Sequence, residues 1–288
     1  MDPRIQYCVR EIERKILHEN AEYSALDALL QKLARDTRLT RFHLAHLFRE
    51  NLNSSPRDYM HRNLMGHCAL MVAHTREPIF SIAINTGFAS QQTFTRAFTH
   101  YWGIPPCKFR QAHAHYVMSH DQPAPGETPR PAQVHIDNPA STLNLWAVRY
   151  EGLSCQRHAC WNNFWKLCQQ LPPDMRKGPF FGLTYDTSMF VPMQFVRYYC
   201  GIQVPQDSGK KPEGAFEITL PKGKVAHCDG EIYSHEISSL YSYLLDHWLP
   251  ESGYSMTATC LVERFDQFPR DWDARRAPVR LSCWVRKM

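Results

Sequence analysis

Apolar residues recur at helical spacing through roughly the first 110 positions. Ile5, Cys8, Val9, Ile12, Ile16 and Leu17 repeat every third or fourth residue, which predicts one buried helix face. Ser24 then stands before Leu26, Leu29, Leu30, Leu33 and Ala34 as the cap of a second helix. A break at Asp36-Thr37-Arg38-Leu39 leads into a third, about Thr40 to Glu50. Asn53-Ser54-Ser55-Pro56 starts a fourth, since proline suits a first helical turn. It runs to about Thr75, roughly 20 residues or about 30 Å. Pro78 opens a short helix through Ile79, Ile82, Ala83 and Ile84, and Gly87 ends it as a residue that tolerates a left-handed turn. Ser90 to Tyr101 forms the next helix, and Pro105-Pro106 begins a last short one to about Gln111.

Two helix–turn–helix units lie in this pattern, Leu30–Glu50 and Ile79–Tyr101, with the long helix between them. The second helix of the second unit has an apolar face of Phe94, Ala97 and Phe98. Its other face carries Ser90, Gln91, Gln92, Thr95 and Arg96, with Thr93 beside them. A core helix has little use for so many hydrogen-bonding groups in two turns. A helix in the major groove does, because amide and guanidinium groups read base edges. Successive major-groove faces on one side of B-DNA lie about 34 Å apart. A connecting helix of about 30 Å therefore suits two readers in neighbouring turns, and a single chain on an asymmetric site of about 20 base pairs. On the first unit the corresponding candidates are Arg41, Phe42, His43, Ala45, His46 and Arg49. Arg41 and Arg96 also suit phosphates, which position without specifying. Lys108 and Arg110 are expected as backbone contacts.

Charge placement supports this reading. The chain carries a formal +5, and all of the excess falls in residues 1–112, with fifteen Lys/Arg against ten Asp/Glu. Residues 113–288 balance at eighteen of each. A cationic segment is what phosphate binding needs.

From 113 to 142 the composition turns to a stiff, polar linker with Pro123, Pro125, Pro129, Pro131 and Pro139. Beyond the linker the chain is duplicated. Ala147-Val148-Arg149-Tyr150-Glu151-Gly152 lines up with Val225-Ala226-His227-Cys228-Asp229-Gly230, an offset of 78. The same offset takes Leu171-Pro172 to Leu249-Pro250 and Leu183-Thr184-Tyr185 to Leu261-Val262-Glu263. Val196-Arg197 with Cys200 recurs as Val279-Arg280 with Cys283, at 83. Each copy reads as a strand, a helix (163–170 and 238–247), then two strands. Two copies sharing a sheet give an α/β domain of pseudo-two-fold symmetry with a groove between them, where ligands prefer to sit.

The remaining chemistry is sparse. Ten cysteines include no Cys-x-x-Cys pair and mostly adjoin apolar residues, so reduced buried thiols are expected, with no metal site. Cys155, His158 and Cys160 lack a matched second pair. No Ser-His-Asp order or phosphate loop appears, so no cofactor and no enzyme activity are expected. No apolar run of about 18 residues suggests a membrane span, and the start has no apolar signal region. A cytoplasmic protein is the expectation.

These motifs carry two family resemblances. Ile82-Ala83, Gly87-Phe88, Ser90-Gln91-Gln92, Phe94, Arg96, Phe98 and Pro105 before Phe109-Arg110 strongly resemble the second unit of AraC/XylS-family transcription regulators. The first unit matches less closely. Arg38 replaces a turn glycine, and Phe42, Ala45 and His46 stand where the MarA/Rob group carries Trp, Gln and Arg. The scaffold is thus implied, and a different DNA sequence for the first helix. Trp248-Leu249-Pro250-Glu251-Ser252-Gly253-Tyr254 followed by Glu263 resembles GyrI-like effector-binding domains over roughly 143–288. The fold expected is therefore an all-α double helix–turn–helix domain (1–112), the linker (113–142) and a duplicated α/β GyrI-like domain (143–288). The resemblance implies an activator contacting double-stranded DNA and RNA polymerase, with a lipophilic, cationic effector facing Glu263. Tyr185, Trp146, Tyr150, Trp165, Tyr199 and Trp284 are candidate pocket walls, though each also suits a core. Two alternatives stay open for the second half. One is a GyrI-like hydrolase using Glu263 and Tyr185, and the other is a protein-contact surface around Trp272.

Overall fold

Asp2 caps the first helix, its side chain accepting from the Arg4 backbone N–H at 2.8 Å ahead of Pro3. From there the structure, a computed structural model, describes residues 1–18, 23–120, 133–152, 157–186, 190–191, 195–205 and 211–288. Two compact units result, Met1–Tyr116 and Val117–Met288. Among the described residues no helix is long and apolar enough to cross a membrane.

Among the described residues the first unit is helical. Its helices are α1 (Pro3–Glu13), α2 (Leu26–Asp36), α3 (Arg41–Leu52), α4 (Pro56–His74), α5 (Ile79–Asn85), α6 (Gln91–Trp102) and α7 (Pro106–His120). α4 is the spine. It spans 19 residues, and Tyr59, Met60, Leu64, Met65, Cys68, Ala69 and Val72 are all buried. Its Tyr59 hydroxyl also donates to Glu13 Oε1 of α1 at 2.6 Å, tying α1 to the spine. α7 runs well past Gln111, so residues expected to open the linker continue a helix. Nothing near Gln111 breaks it, since the next proline is Pro123.

The two helix–turn–helix units are built by one device. Thr37 donates its hydroxyl to Leu33 O, and Thr86 donates to Ile82 O, both at 2.7 Å. A left-handed residue comes after each threonine, Arg38 at φ 54° and Gly87 at φ 78°. The next backbone N–H then reaches back, Leu39 to Ala34 O and Phe88 to Ala83 O, each at 2.9 Å. Both second helices end on a left-handed residue as well, Asn53 and Gly103. A Cβ in the left-handed region costs roughly 1–2 kcal/mol, while glycine gives back part of that as unfolded-state entropy. Arg38→Gly is therefore expected to stabilise the first unit by about 0.5–1 kcal/mol. A rise in the urea midpoint, with the slope unchanged, checks it.

Among the described residues the second unit forms one eight-stranded antiparallel sheet. Its strands are β1 (His135–Asp137), β2 (Leu143–Glu151), β3 (Phe180–Thr184), β4 (Arg197–Gln203), β5 (Phe216–Leu220), β6 (Val225–Ile232), β7 (Tyr254–Phe265) and β8 (Ala277–Lys287). They lie in the order β1-β6-β8-β7-β3-β4-β2-β5, which is symmetric about the β7–β3 pair. The strand before each copy crosses over: β1 pairs with β6 of the second copy and β5 with β2 of the first. β1 thus falls inside the stretch expected as linker, because an extended segment there completes the edge of β6. Helix α8 (Arg157–Cys168) belongs to the first copy. α9 (Ile237–Ser242) belongs to the second and continues through a π-type turn into α10 (Leu249–Glu251). α8 covers β2 and β4, and α9 covers β6. The one face they share leaves the central β3–β7 pair between them.

Asp186, just after β3, and Arg197 opening β4 form a buried two-pronged ion pair. Arg197 Nε lies 2.6 Å from Oδ2, and a terminal guanidinium nitrogen 2.7 Å from Oδ1. The Arg197 backbone N–H adds a third bond at 3.1 Å. This clamp fixes the register of the β3–β4 hairpin.

Candidate functional site

In the first unit, two helices present open faces. α3 buries Leu44, Phe48 and Leu52 and exposes Arg41, Phe42, His43, His46 and Arg49, with Ala45 half-buried. Phe42 is 84% exposed, which is unusual for a phenylalanine with a core available. α6 buries Phe94 and Phe98 and exposes Gln91, Gln92 and Arg96, with Thr95 half-buried. The helix period thus separates core from solvent as the sequence pattern required.

Three of the candidate residues have other work. Ser90 and Thr93 form a reciprocal capping box. The Ser90 hydroxyl accepts from Thr93 N–H at 3.2 Å, and the Thr93 hydroxyl accepts from Ser90 N–H at 3.1 Å. Their hydroxyls hold the helix end instead of facing a base. Arg110 is an internal tie: Nε donates to Val72 O at 2.8 Å, and a terminal nitrogen to Glu77 O at 2.7 Å. Burial lowers its pKa from the ordinary value. Arg110 thus closes the end of α4, where carbonyls lack helical partners, and is not the backbone contact expected. Lys108 stays exposed. His46 Nε2 sits 3.2 Å from Glu50 Oε1, one turn along α3.

In the second unit the centre is Glu263 on β7, fully buried. Tyr198 of β4 donates to its Oε2 at 2.5 Å. Tyr241 of α9 donates to its Oε1, and the Tyr241 and Thr184 hydroxyls lie 3.1 Å apart. Arg157, the first residue of α8, brings Nε to 4.0 Å from Oε1. Its guanidinium lies over two rings, 5.1 Å from that of Tyr198 and 5.8 Å from that of Tyr241. Burial, and then the Glu263 charge, push both tyrosines well above their ordinary pKa, so they remain donors. Burial works against charge on Arg157, but Tyr241 and Glu263 outweigh it, and its pKa is raised.

Gly182 makes this possible. It pairs with Glu263 across β3–β7. A Cβ there falls well inside contact distance of Tyr198 Oη and Glu263 Oε2. The missing side chain is the space in which the carboxylate meets its donors.

The expected aromatic walls divide between the two faces of the sheet. Tyr150 lies beside Tyr198 in the β2–β4 register and Trp146 opposite Ile202, both on the Glu263 face. Tyr185 and Tyr199 lie on the opposite face, with ring centroids 5.5 Å apart. Trp284 is also there, its Nε1 donating to Pro221 O at 2.7 Å. Trp165 sits off the site, 4.6 Å from the Phe268 ring with Arg270 over it. Tyr185 is thus not the internal counterpart of Glu263. Keeping the facing requires a one-residue shift, to Thr184, because one step along a strand reverses every side chain. Trp272 is buried, its Nε1 donating to Ile232 O at 3.0 Å, so it offers no contact surface. Reasoning from sequence missed Tyr198, Tyr241, Arg157 and Gly182. Tyr198 adjoins the chosen Tyr199, and only the strand register separates them. Cys155 and the side chain of His158 lie outside the described residues. The cysteines at 8, 68, 160, 168, 200, 228, 260 and 283 are buried, and Cys107 is exposed.

Known proteins match both units. Residues 33–112 match a helix-turn-helix domain family, and 148–286 match the GyrI-like small molecule binding domain. The multiple antibiotic resistance protein MarA of Salmonella typhimurium is 33% identical over 86 residues, 30% of this chain and 68% of that protein. The lactose operon transcription activator of Staphylococcus xylosus is 28% identical over 93 residues, 32% of each. Among solved structures, EcmrR in an EcmrR–DNA complex aligns over 90% of this chain and 99% of its own, at 12% identity and a TM-score of 0.46. The chain belongs to the AraC-type family of DNA-binding transcription regulators, of the MarA/Rob type, and joins that helix–turn–helix domain to a GyrI-like small-molecule-binding domain.

Proposed function

We propose that this chain activates transcription as a monomer in the cytoplasm. α3 and α6 read successive major grooves of one asymmetric site, and the second unit senses a lipophilic cation at Glu263. The observation that carries the DNA half is the repeated turn, which presents an open helix face twice on one spine. α4 spans about 28 Å at 1.5 Å per residue, close to the groove repeat of about 34 Å. The readers are Gln91, Gln92 and Arg96 on α6, and Phe42, Ala45, His46 and Arg49 on α3. Arg41, His43, Thr95 and Lys108 steady the frame on phosphates. The activator role, through contact with RNA polymerase, rests on the kinship with MarA and the lactose operon activator.

Selection of preferred duplexes from random DNA tests this half. Arg96→Ala is expected to cost about 1–3 kcal/mol of affinity, with relaxed preference at one position. A smaller salt slope with unchanged preference reassigns Arg96 to phosphate. Phe42→Ala is expected to weaken the preference for thymine in one half-site, since an apolar ring reads its methyl group. Replacing those thymines by deoxyuridine should mimic the mutation. If half-site preference survives both changes, α3 is a clamp that does not read.

For the second unit the supporting observation is a buried carboxylate ringed by tyrosines, a setting that rewards a positive charge. Both Glu263 oxygens accept from tyrosine hydroxyls that stay protonated, and the Arg157 guanidinium stands beside them, so the carboxylate is held as a fixed negative charge instead of a free general base. That favours binding over hydrolysis. Saturable binding of tetraphenylphosphonium by the full chain, lost in Glu263→Gln, is the expected result. Equal binding by the variant moves the effector elsewhere.

A further inference from the structure

Arg157 is neither a DNA contact nor a pocket wall, yet it stands where an effector's charge belongs. Its guanidinium lies over the Tyr198 and Tyr241 rings, and its Nε is 4.0 Å from Glu263 Oε1. Only 15% of its side chain is exposed, and Glu263 is sealed. The contact is nonetheless incomplete. Nε is shut away from solvent and finds no hydrogen-bond partner among the described residues. An arginine placed to stabilise a buried carboxylate ordinarily forms a two-pronged bond, as Arg197 does with Asp186 in this same unit. Arg157 instead meets the site through ring faces and charge, the interactions that also hold a lipophilic cation.

We propose that Arg157 is a resident cation, an intramolecular competitor that closes the effector site until a ligand displaces it. The inference rests on the reading of Glu263 as the effector site. Arg157 opens α8, so its flexible stem can carry the charged head to water without unravelling the helix behind it. Once the head has left, the buried carboxylate lacks a countercharge, and an incoming cation supplies it. The arginine thereby sets the affinity. Apparent binding is weakened by the fraction of time the site is closed, and removing the plug removes that penalty. It also sets the ligand class, since a neutral molecule cannot replace the lost charge.

The test titrates the full chain with tetraphenylphosphonium, monitored by tryptophan emission, for wild type, Arg157→Ala, Arg157→Lys and Arg157→Ala/Glu263→Gln. Circular dichroism confirms that each is folded. Arg157→Ala is expected to bind at least tenfold more tightly than wild type, Arg157→Lys to fall between, and the double variant to bind nothing. Unchanged or weaker binding by folded Arg157→Ala, with wild type still binding through Glu263, overturns the plug and leaves the effector reading intact. Absence of binding by both wild type and Arg157→Ala removes the effector reading and the plug together. If Arg157→Ala does not fold, Arg157→Lys decides: a shorter ammonium that no longer covers both rings must raise affinity, and an unchanged value overturns the proposal.

Discussion

Glu263→Ala is expected to destabilise the second unit by about 3–5 kcal/mol, the usual result of removing one member of a buried charged pair. The carboxylate is fully buried, so solvent does not screen the loss. Its removal leaves two tyrosine hydroxyls without their acceptor and the Arg157 charge without a counterion. Each orphaned hydroxyl alone costs roughly 1–3 kcal/mol. Glu263→Gln keeps the shape and one carbonyl acceptor, so it should cost less, while still losing the charge a cation needs. Six of the seven tryptophans (146, 161, 165, 248, 272 and 284) lie in this unit, so urea unfolding monitored by emission reports mainly on it. A cost below about 1 kcal/mol for the alanine variant means that the tyrosines and Arg157 find other partners. Glu263 is then not the organising centre of the unit.

Gly182→Ala is the second large effect, expected at about 1–3 kcal/mol for an overpacked site and more if backbone must move. The added methyl has no free volume. It meets the Tyr198 hydroxyl and Glu263 Oε2, groups already bonded to each other, and both are fixed by strand backbone on either side. Relief requires Tyr198 to swing away, which breaks its bond to the carboxylate. The change should therefore lower stability and abolish cation binding together. Gly253→Ala is a useful contrast. Its φ of 73° makes it a turn glycine with open space around the Cβ position, so any cost there is backbone strain alone, with cation binding retained. If Gly182→Ala binds cations as wild type does, the donors are not needed for recognition.

The first unit was largely legible from the chain, because a helix declares itself through local period and caps. Leu44 and Phe48, and fifty residues later Phe94 and Phe98, mark the buried faces, and everything between them on the helix surface is set by the 3.6-residue repeat. The exposed Phe42 and Arg96 were therefore identifiable without coordinates. What local period did not reveal was which polar groups are already bonded. Ser90 and Thr93 looked like readers until their reciprocal cap was seen. Arg110 looked like a phosphate contact although its carbonyl partners lie 33 and 38 residues away.

In the second unit the sequence by itself determined the duplication and the three strands of each copy, and its family resemblance pointed to Glu263, while β1 and β5 went unseen. Repeated motifs at offsets of 78 and 83 need no tertiary knowledge. The tertiary structure alone decided which face each strand residue takes. Strand alternation has period two, so one step along a strand exchanges Tyr198 for Tyr199, and a repeat offset wrong by one exchanges Thr184 for Tyr185. The strand order brought Gly182 opposite Glu263, and helix packing brought Arg157 and Tyr241 to it from segments about 106 and 22 residues away. Contacts between positions so far apart leave no periodic trace in one sequence, which is why the carboxylate could be named from the chain and its partners could not.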